Sequence, residues 1–276
     1  MNDSTRTLAG RTILMSGGSR GIGLAIALRA ARDGANVAML AKTDQPHPTL
    51  EGTVHTAAAE VEEAGGRALA VVGDVRDEAS VQQAVDTTVA EFGGIDIVVN
   101  NASAIDLSPT PDLAMKKYDL MQDINCRGSF LLAKTALPHL EKSRAAHILT
   151  LSPPLNLDPR WAGSFLGYTI AKYGMSLVTL GLAEELKGRG IAANSLWPRT
   201  TIATAAVANL LGGQEMVARS RTPEIMADAA HAILTRDPRA CTGNFFIDDD
   251  VLAEEGVTDF SAYGGPLEEL EPDLFL

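Results

Sequence analysis

Cysteine is nearly absent from this chain: Cys126 and Cys241 are the only two among 276 residues. Two distant cysteines supply neither a disulfide framework nor a zinc ligand set, and they suit a reducing compartment. Metal-ligand spacing is also missing, since His47, His55, His139, His147 and His231 are scattered along the chain. No apolar run approaches the ~20 residues of a membrane-spanning helix. The opening MNDSTRTLAG lacks the apolar core of a signal peptide, and the closing DLFL is not a peroxisomal address. The expected location is therefore cytoplasmic. Basic charge is scarce, with 23 Lys and Arg against 35 Asp and Glu and a net charge of −12. That argues against a nucleic-acid partner, which needs a basic surface. It does not exclude an anionic ligand held locally by backbone amides.

What the chain has is rhythm. Short apolar runs, TILMS (12–16), NVAML (36–40), ALAVV (68–72), IDIVVN (95–100), AHILTLS (146–152), IAANSLW (191–197) and NFFI (244–247), alternate with helix-like segments. Nearly continuous apolar strands, each followed by a helix, predict a parallel sheet covered on both faces. The expected fold is α/β: a doubly wound, Rossmann-type, seven-stranded parallel sheet with helices on both faces, in one domain spanning 1–276. The final stretch, 251–276, is acidic, with Phe260, Tyr263, Leu267, Leu270 and Phe275 as its apolar residues. It reads either as a loose tail or as an arm packed on another subunit.

SGGSRGIG (16–23) follows the first strand and opens the first helix. Glycines there permit a tight turn and close approach of a pyrophosphate to the helix N-terminus. The spacing Gly17, Gly21, Gly23 departs from the commonest dinucleotide fingerprint. At the end of the second strand stand Ala41 and Lys42, and Arg20 lies in the glycine turn. Cations without a carboxylate at that place favour NADP(H), which carries an extra phosphate, over NAD(H). Asp44, two residues on, leaves NAD(H) possible.

Tyr168 and Lys172 are spaced i, i+4 within SFLGYTIAKYGMS, so a helix puts them on one face. A cation one turn from a phenol favours the phenolate and fits the phenol for proton transfer. Taken together, SGGSRGIG, GDV, NNAS, INCRGSF and YTIAK resemble the short-chain dehydrogenase/reductase family over about residues 8–250. SPPLNLDP, NSLWPRT and GVTDFSAY are similar to a hydroxysteroid dehydrogenase-like branch of it. The resemblance implies roles for individual residues. Gly17, Gly21, Ile22 and Gly23 would line the pyrophosphate and ribose. Ser19, Arg20 and Lys42 would hold the adenosine ribose and its phosphate. Asp74, with Val75 beside it, would bind adenine. Asn101 would brace the central strand and Ala102 line the cofactor pocket. Thr204 would touch the carboxamide. Tyr168 would be the acid/base, Lys172 would bind the nicotinamide ribose, and Asn125 would hold a water linked to Lys172. Relatives of this kind also form dimers or tetramers, so a homo-oligomer is expected.

The chain departs from the family pattern twice. Arg199 stands where the family has Gly after WP. Counting back from Tyr168 to the usual catalytic Ser lands on Leu155. Either an insertion in PPLNLDP leaves Ser152 in that role, or the role is lost or passes to Asn156 or Ser164. The region 200–222 has an apolar face, Ile202, Ala206, Leu210 and Leu211, suited to a lid over an apolar, lipid-like or acyl small-molecule substrate. The expected activity is NADP-preferring interconversion of an alcohol and a carbonyl. A dinucleotide-binding sensor or scaffold is one alternative. An enoyl reductase is another, although that class spaces its Tyr and Lys more widely. No metal is expected, and Cys126 and the methionines read as packing residues.

Overall fold

In the computed structural model, which describes residues 6–46 and 52–276, each apolar run becomes a strand. His47 lies outside these residues. β1 (Thr12–Ser16), β4 (Ile97–Asn100), β5 (His147–Thr150) and β6 (Ala192–Trp197) are buried along their whole length. Strands buried on both faces have no reason to alternate polar and apolar residues. With β2 (Asn36–Ala41), β3 (Arg67–Val72) and β7 (Phe245–Ile247) they form one seven-stranded sheet in the order β3-β2-β1-β4-β5-β6-β7. Every pairing is parallel.

Helices cover both faces. On one side α1 (Gly21–Ala31), α2 (Val54–Glu63), α9 (Glu224–Leu234) and α10 (Asp248–Glu254) bury a core that includes Ile26, Val61, Ile233 and Leu252. On the other side α3 (Glu78–Phe92), α5 (Gly128–Leu140) and α7 (Leu166–Leu186) bury Val85, Leu132 and Leu186. The helical region expected from Pro111 to Leu140 is interrupted. α4 (Met115–Met121) passes through a π-helical turn, Gln122–Arg127, before α5 begins. The direction of winding reverses between β1 and β4, which pair through Ser16 and Asn100. In open parallel sheets a ligand crevice lies at that reversal, beyond the carboxyl ends of the strands.

The segment 251–276 is neither loose nor an arm reaching outward. Its first residues continue α10, with Val251 and Leu252 buried. Farther on the chain returns to the carboxyl end of β6. Thr200 and Pro272 form an antiparallel bridge, Thr201 N–H donates to the Glu271 carbonyl at 2.9 Å, and Asp273 N–H donates to the Arg199 carbonyl at 3.0 Å.

Candidate active site

The glycine turn sits at the reversal point. Gly17 has φ +75°, and a Cβ there would lie 2.9 Å from the Ala102 Cα. A Cβ on Gly23 would lie 2.5 Å from Asn101 Nδ2 and 2.6 Å from the Gly17 carbonyl oxygen. Only glycine fits either place. Asn101 Nδ2 donates to the carbonyls of Ser16 (3.2 Å) and Gly17 (2.7 Å), so it ties the end of β4 to the turn after β1. The Ser16 hydroxyl accepts from the backbone amides of Asn101 and Ala102. Ser16 was absent from the sequence-based set because its role is visible only when β1 and β4 are paired. Thr204 lies across the turn, its Cγ2 3.4 Å from where a Gly21 Cβ would be. The N-cap of α1, Arg20, makes no side-chain capping bond. The first-turn amides of α1 are therefore suited to an anionic group. Glycine cradle, helix end and bracing amide together fit a dinucleotide pyrophosphate.

Around the adenosine end, Ser19 is buried, Ile22 is half-buried and Val75 packs under the site. Arg20 Nη2 donates to the Gly52 carbonyl at 2.7 Å. Its buried Nε has no hydrogen-bond partner among the described residues. Lys42 Nζ lies 3.2 Å from Asp74 Oδ2. Asp74 also accepts from Arg76 Nη2 at 2.7 Å and from Arg76 Nε. The hydrogen bonds from Arg76 hold the Asp74 carboxyl well below the usual range, with Lys42 adding to the effect. Arg76 is a further residue of this corner that sequence reasoning passed over, although GDVR places it two positions after Asp74.

α7 carries the Tyr–Lys pair to the carboxyl end of β5. Lys172 Nζ donates to the Leu151 carbonyl at 2.9 Å and lies 5.0 Å from the centre of the Trp197 ring. Both Tyr168 and Lys172 are buried. Burial pushes the Tyr168 phenol well above its ordinary value, and the nearby Asp273 carboxyl pushes it the same way. Burial pulls the Lys172 ammonium downward, opposed by Asp273. Burial pushes the Asp273 carboxyl up, against a hydrogen bond from Leu274 N–H and the charge of Lys172.

Asn125 lies in the π-helical turn and is fully buried. Its side chain clasps Ala104, accepting from the amide at 2.7 Å and donating to the carbonyl at 3.0 Å. Isolated π turns recur at functional sites because they redirect a carbonyl or side chain. Cys126, beside it, packs against Gly174 of α7, and burial raises its thiol pKa. That environment suits packing rather than nucleophilic chemistry.

The Ser152 hydroxyl is fully buried and pairs with the Ser195 hydroxyl at 2.7 Å, so its partner is on β6 and not Tyr168. Asn156 donates to the Phe275 carbonyl at 3.1 Å, while the exposed Ser164 donates back to Arg160. Arg199, the residue in place of the family Gly, pairs with Asp249 and Asp250 on α10. In the region read as a lid, Ile202 and Val207 are buried but Ala206 is exposed, which corrects the expected apolar face. Backbone bonds to neighbouring segments set that pattern, including the bridge from Ile202 to Arg221. The side chains of Leu210 and Leu211 are outside the described set. Among the described residues no three His, Cys, Asp or Glu side chains gather as a metal site.

The short chain dehydrogenase family model matches residues 11–214, more than half of the chain. The chain belongs to the short-chain dehydrogenase/reductase family. It is 56% identical to hydroxysteroid dehydrogenase-like protein 2 of Danio rerio and 52% identical to that of Homo sapiens, over all of this chain in both comparisons. The chain spans 66% of the length of each of these relatives. Among solved structures, a putative dehydrogenase from Xanthomonas campestris superposes with a TM-score of 0.94 at 57% identity, covering 98% of this chain and 99% of that one. A short-chain dehydrogenase/reductase from Serratia marcescens gives 0.75 at 29% identity, covering 87% and 96%. The family comprises oxidoreductases that use a nicotinamide dinucleotide.

Proposed function

We propose that this chain is an NADP-preferring oxidoreductase that interconverts an alcohol and a carbonyl, with Tyr168 as acid/base, on an apolar, lipid-like or acyl substrate. The observation that carries the reading is the placement of Tyr168 and Lys172. They lie at the carboxyl end of β5, tied there by the 2.9 Å bond from Lys172 to Leu151, beside the glycine cradle of β1. When bound, the dinucleotide supplies or accepts a hydride.

The chain's own groups handle the rest. Tyr168 Oη gives its proton to the substrate oxygen in reduction and takes it back in oxidation. Its raised pKa keeps the phenol protonated at neutral pH in the protein alone, ready to donate. Lys172, one helical turn away, stabilises the phenolate left behind. Asn125 holds the 104 backbone against the site, and Ser195 orients the Ser152 hydroxyl. We assign Ser152 the stabilisation of developing charge on the substrate oxygen.

Arg20 and Lys42 support the NADP preference, since both sit beyond the ends of β1 and β2 and the only nearby carboxylate, Asp74, already faces Arg76 and Lys42. The apolar substrate rests on Ile105, Leu107 and Leu113, which pack on the cluster containing Tyr168. A homo-oligomer is supported by Leu166, Ile170, Leu177 and Leu180, exposed along one face of α7, and by exposed Phe130 on α5. The two free cysteines keep the cytoplasm as our assigned location.

The test is a panel of carbonyls and alcohols with NADPH or NADP. Tyr168→Phe should lower kcat by about 10²–10⁴-fold while leaving cofactor affinity intact. Full activity in that variant would refute the mechanism. A binding module without turnover is favoured by one feature, the Phe275 ring 6.1 Å from that of Tyr168. Tight cofactor binding with no turnover across the panel would establish that alternative.

A further inference from the structure

The last residues of the chain are built into the site. Phe275 is fully buried, and its ring centre lies 5.2 Å from Tyr173, 5.6 Å from Trp161, 5.8 Å from Phe165, 6.0 Å from Trp197 and 6.1 Å from Tyr168. Aromatics are only 5% of the sequence, yet both of its tryptophans touch this one ring. Phe275 has φ 75°, the only non-glycine in the left-handed region among the described residues. A bulky residue holds that conformation only where its surroundings enforce it. Here they do: Trp197 Nε1 donates to the Leu274 carbonyl at 2.8 Å, Asn156 Nδ2 to the Phe275 carbonyl at 3.1 Å, and Arg160 Nη2 to the Leu276 carbonyl at 2.8 Å. The segment is also anchored upstream by the Thr200–Pro272 bridge.

We propose that Phe275 is a specificity-determining residue: a fixed aromatic wall of the substrate chamber that limits how bulky an apolar group can lie beside the carbonyl at Tyr168. The proposal rests on the oxidoreductase reading above. Three features support a wall in preference to a swinging gate. Main-chain bonds hold both sides of the segment, the ring is enclosed by five others, and the strained φ has no release while those bonds persist. The remaining sides of the same cluster are aliphatic and only partly buried, at Ile105, Leu107 and Leu113. A substrate body placed there meets aliphatic side chains on one side and the Phe275 ring on the other. The substrate class is thus a carbonyl compound or alcohol with a compact apolar group next to the reacting carbon.

The experiment compares wild type, Phe275→Leu and Phe275→Ala, each checked by thermal melting. Two readouts are used. In kinetics with NADPH, the kcat/KM ratio of cyclohexanecarbaldehyde to butanal should rise about tenfold in Phe275→Ala and less in Phe275→Leu. In binding, cyclohexanecarboxamide and butanamide, which are not reduced, are titrated into the cofactor complex and followed by the fluorescence of Trp161 and Trp197. Their affinity ratio should move the same way, with NADPH affinity unchanged. If wild type turns over neither aldehyde, the oxidoreductase reading fails and the binding ratio alone decides this proposal. An unchanged ratio in a folded Phe275→Leu overturns it. An equal change for large and small compounds also overturns it, because that outcome belongs to a gate.

Discussion

The Ser152 hydroxyl lies 2.7 Å from the Ser195 hydroxyl, linking β5 to β6 just behind the Tyr168–Lys172 pair. A buried pair of this kind leaves an unsatisfied group whenever one partner is removed. Ser152→Ala and Ser195→Ala should each cost about 1–3 kcal/mol in urea unfolding. The double variant should cost less than their sum, because no orphan hydroxyl then remains. Kinetics separates the two: Ser152→Ala should lower kcat by about 10²-fold. Ser195→Ala, which removes only the orienting partner, should lower it by less than about tenfold. Equal losses would deny Ser152 its assigned role.

Lys42 reaches Asp74 at 3.2 Å while its side chain stays largely exposed. If it also holds the extra phosphate of NADP, Lys42→Ala should weaken NADP about tenfold and leave NAD nearly unaffected. Arg20→Ala should act in the same direction. Isothermal titration with both dinucleotides decides the matter, and equal losses for the two would remove the preference.

Gly23→Ala tests the cradle. The added methyl would meet Asn101 Nδ2 at 2.5 Å and the Gly17 carbonyl at 2.6 Å, and both are held by hydrogen bonds that resist movement. The variant should melt at a lower temperature and lose dinucleotide binding, followed by NADPH fluorescence. Gly34→Ala, at a glycine with φ +84° and open space around it, serves as the comparison: strained, yet with cofactor binding retained.

His147 gives a pH signature. It is buried on β5, and desolvation lowers its pKa from 6.5 to about 4. A histidine buried neutral contributes its full stability above pH 6.5, and that contribution falls as pH drops from 6.5 toward 4. The loss across that window should approach about 3 kcal/mol. In His147→Phe this limb should flatten, against a small cost at neutral pH from the lost bond to the Arg236 carbonyl. Urea unfolding at several pH values reads both effects. An acid limb equally steep in the variant would assign the loss to other groups.

The sheet was legible because its signal is local. TILMS, NVAML and IAANSLW are apolar throughout for the same reason that they are buried on both faces. The pairing of Tyr168 with Lys172 was legible from helical spacing alone, and the glycine turn from its place between strand and helix. Other features were not. The partner of Ser152 depends on β5 lying beside β6, and sequence spacing carries no information about that hydroxyl's direction. Arg76 and Ser16 act through neighbours brought together by the sheet. Phe275 sits in a short aperiodic segment, and its partners at 161, 165 and 168 are over a hundred residues away. The period of its own neighbours therefore said nothing about its burial.

That distance has a consequence for the order of assembly. All seven strands lie before residue 248, so the sheet has every strand it needs well before the 271–276 segment has been synthesised. Docking that segment closes a loop of great length onto residues near the middle of the chain, a slow class of contact. A nascent protein can thus own a complete sheet and a cofactor cradle before its aromatic chamber exists. Birth of the fold and birth of the substrate chamber are separate events in time, and a pulse of dinucleotide binding should precede the final quenching or shift of tryptophan emission during refolding.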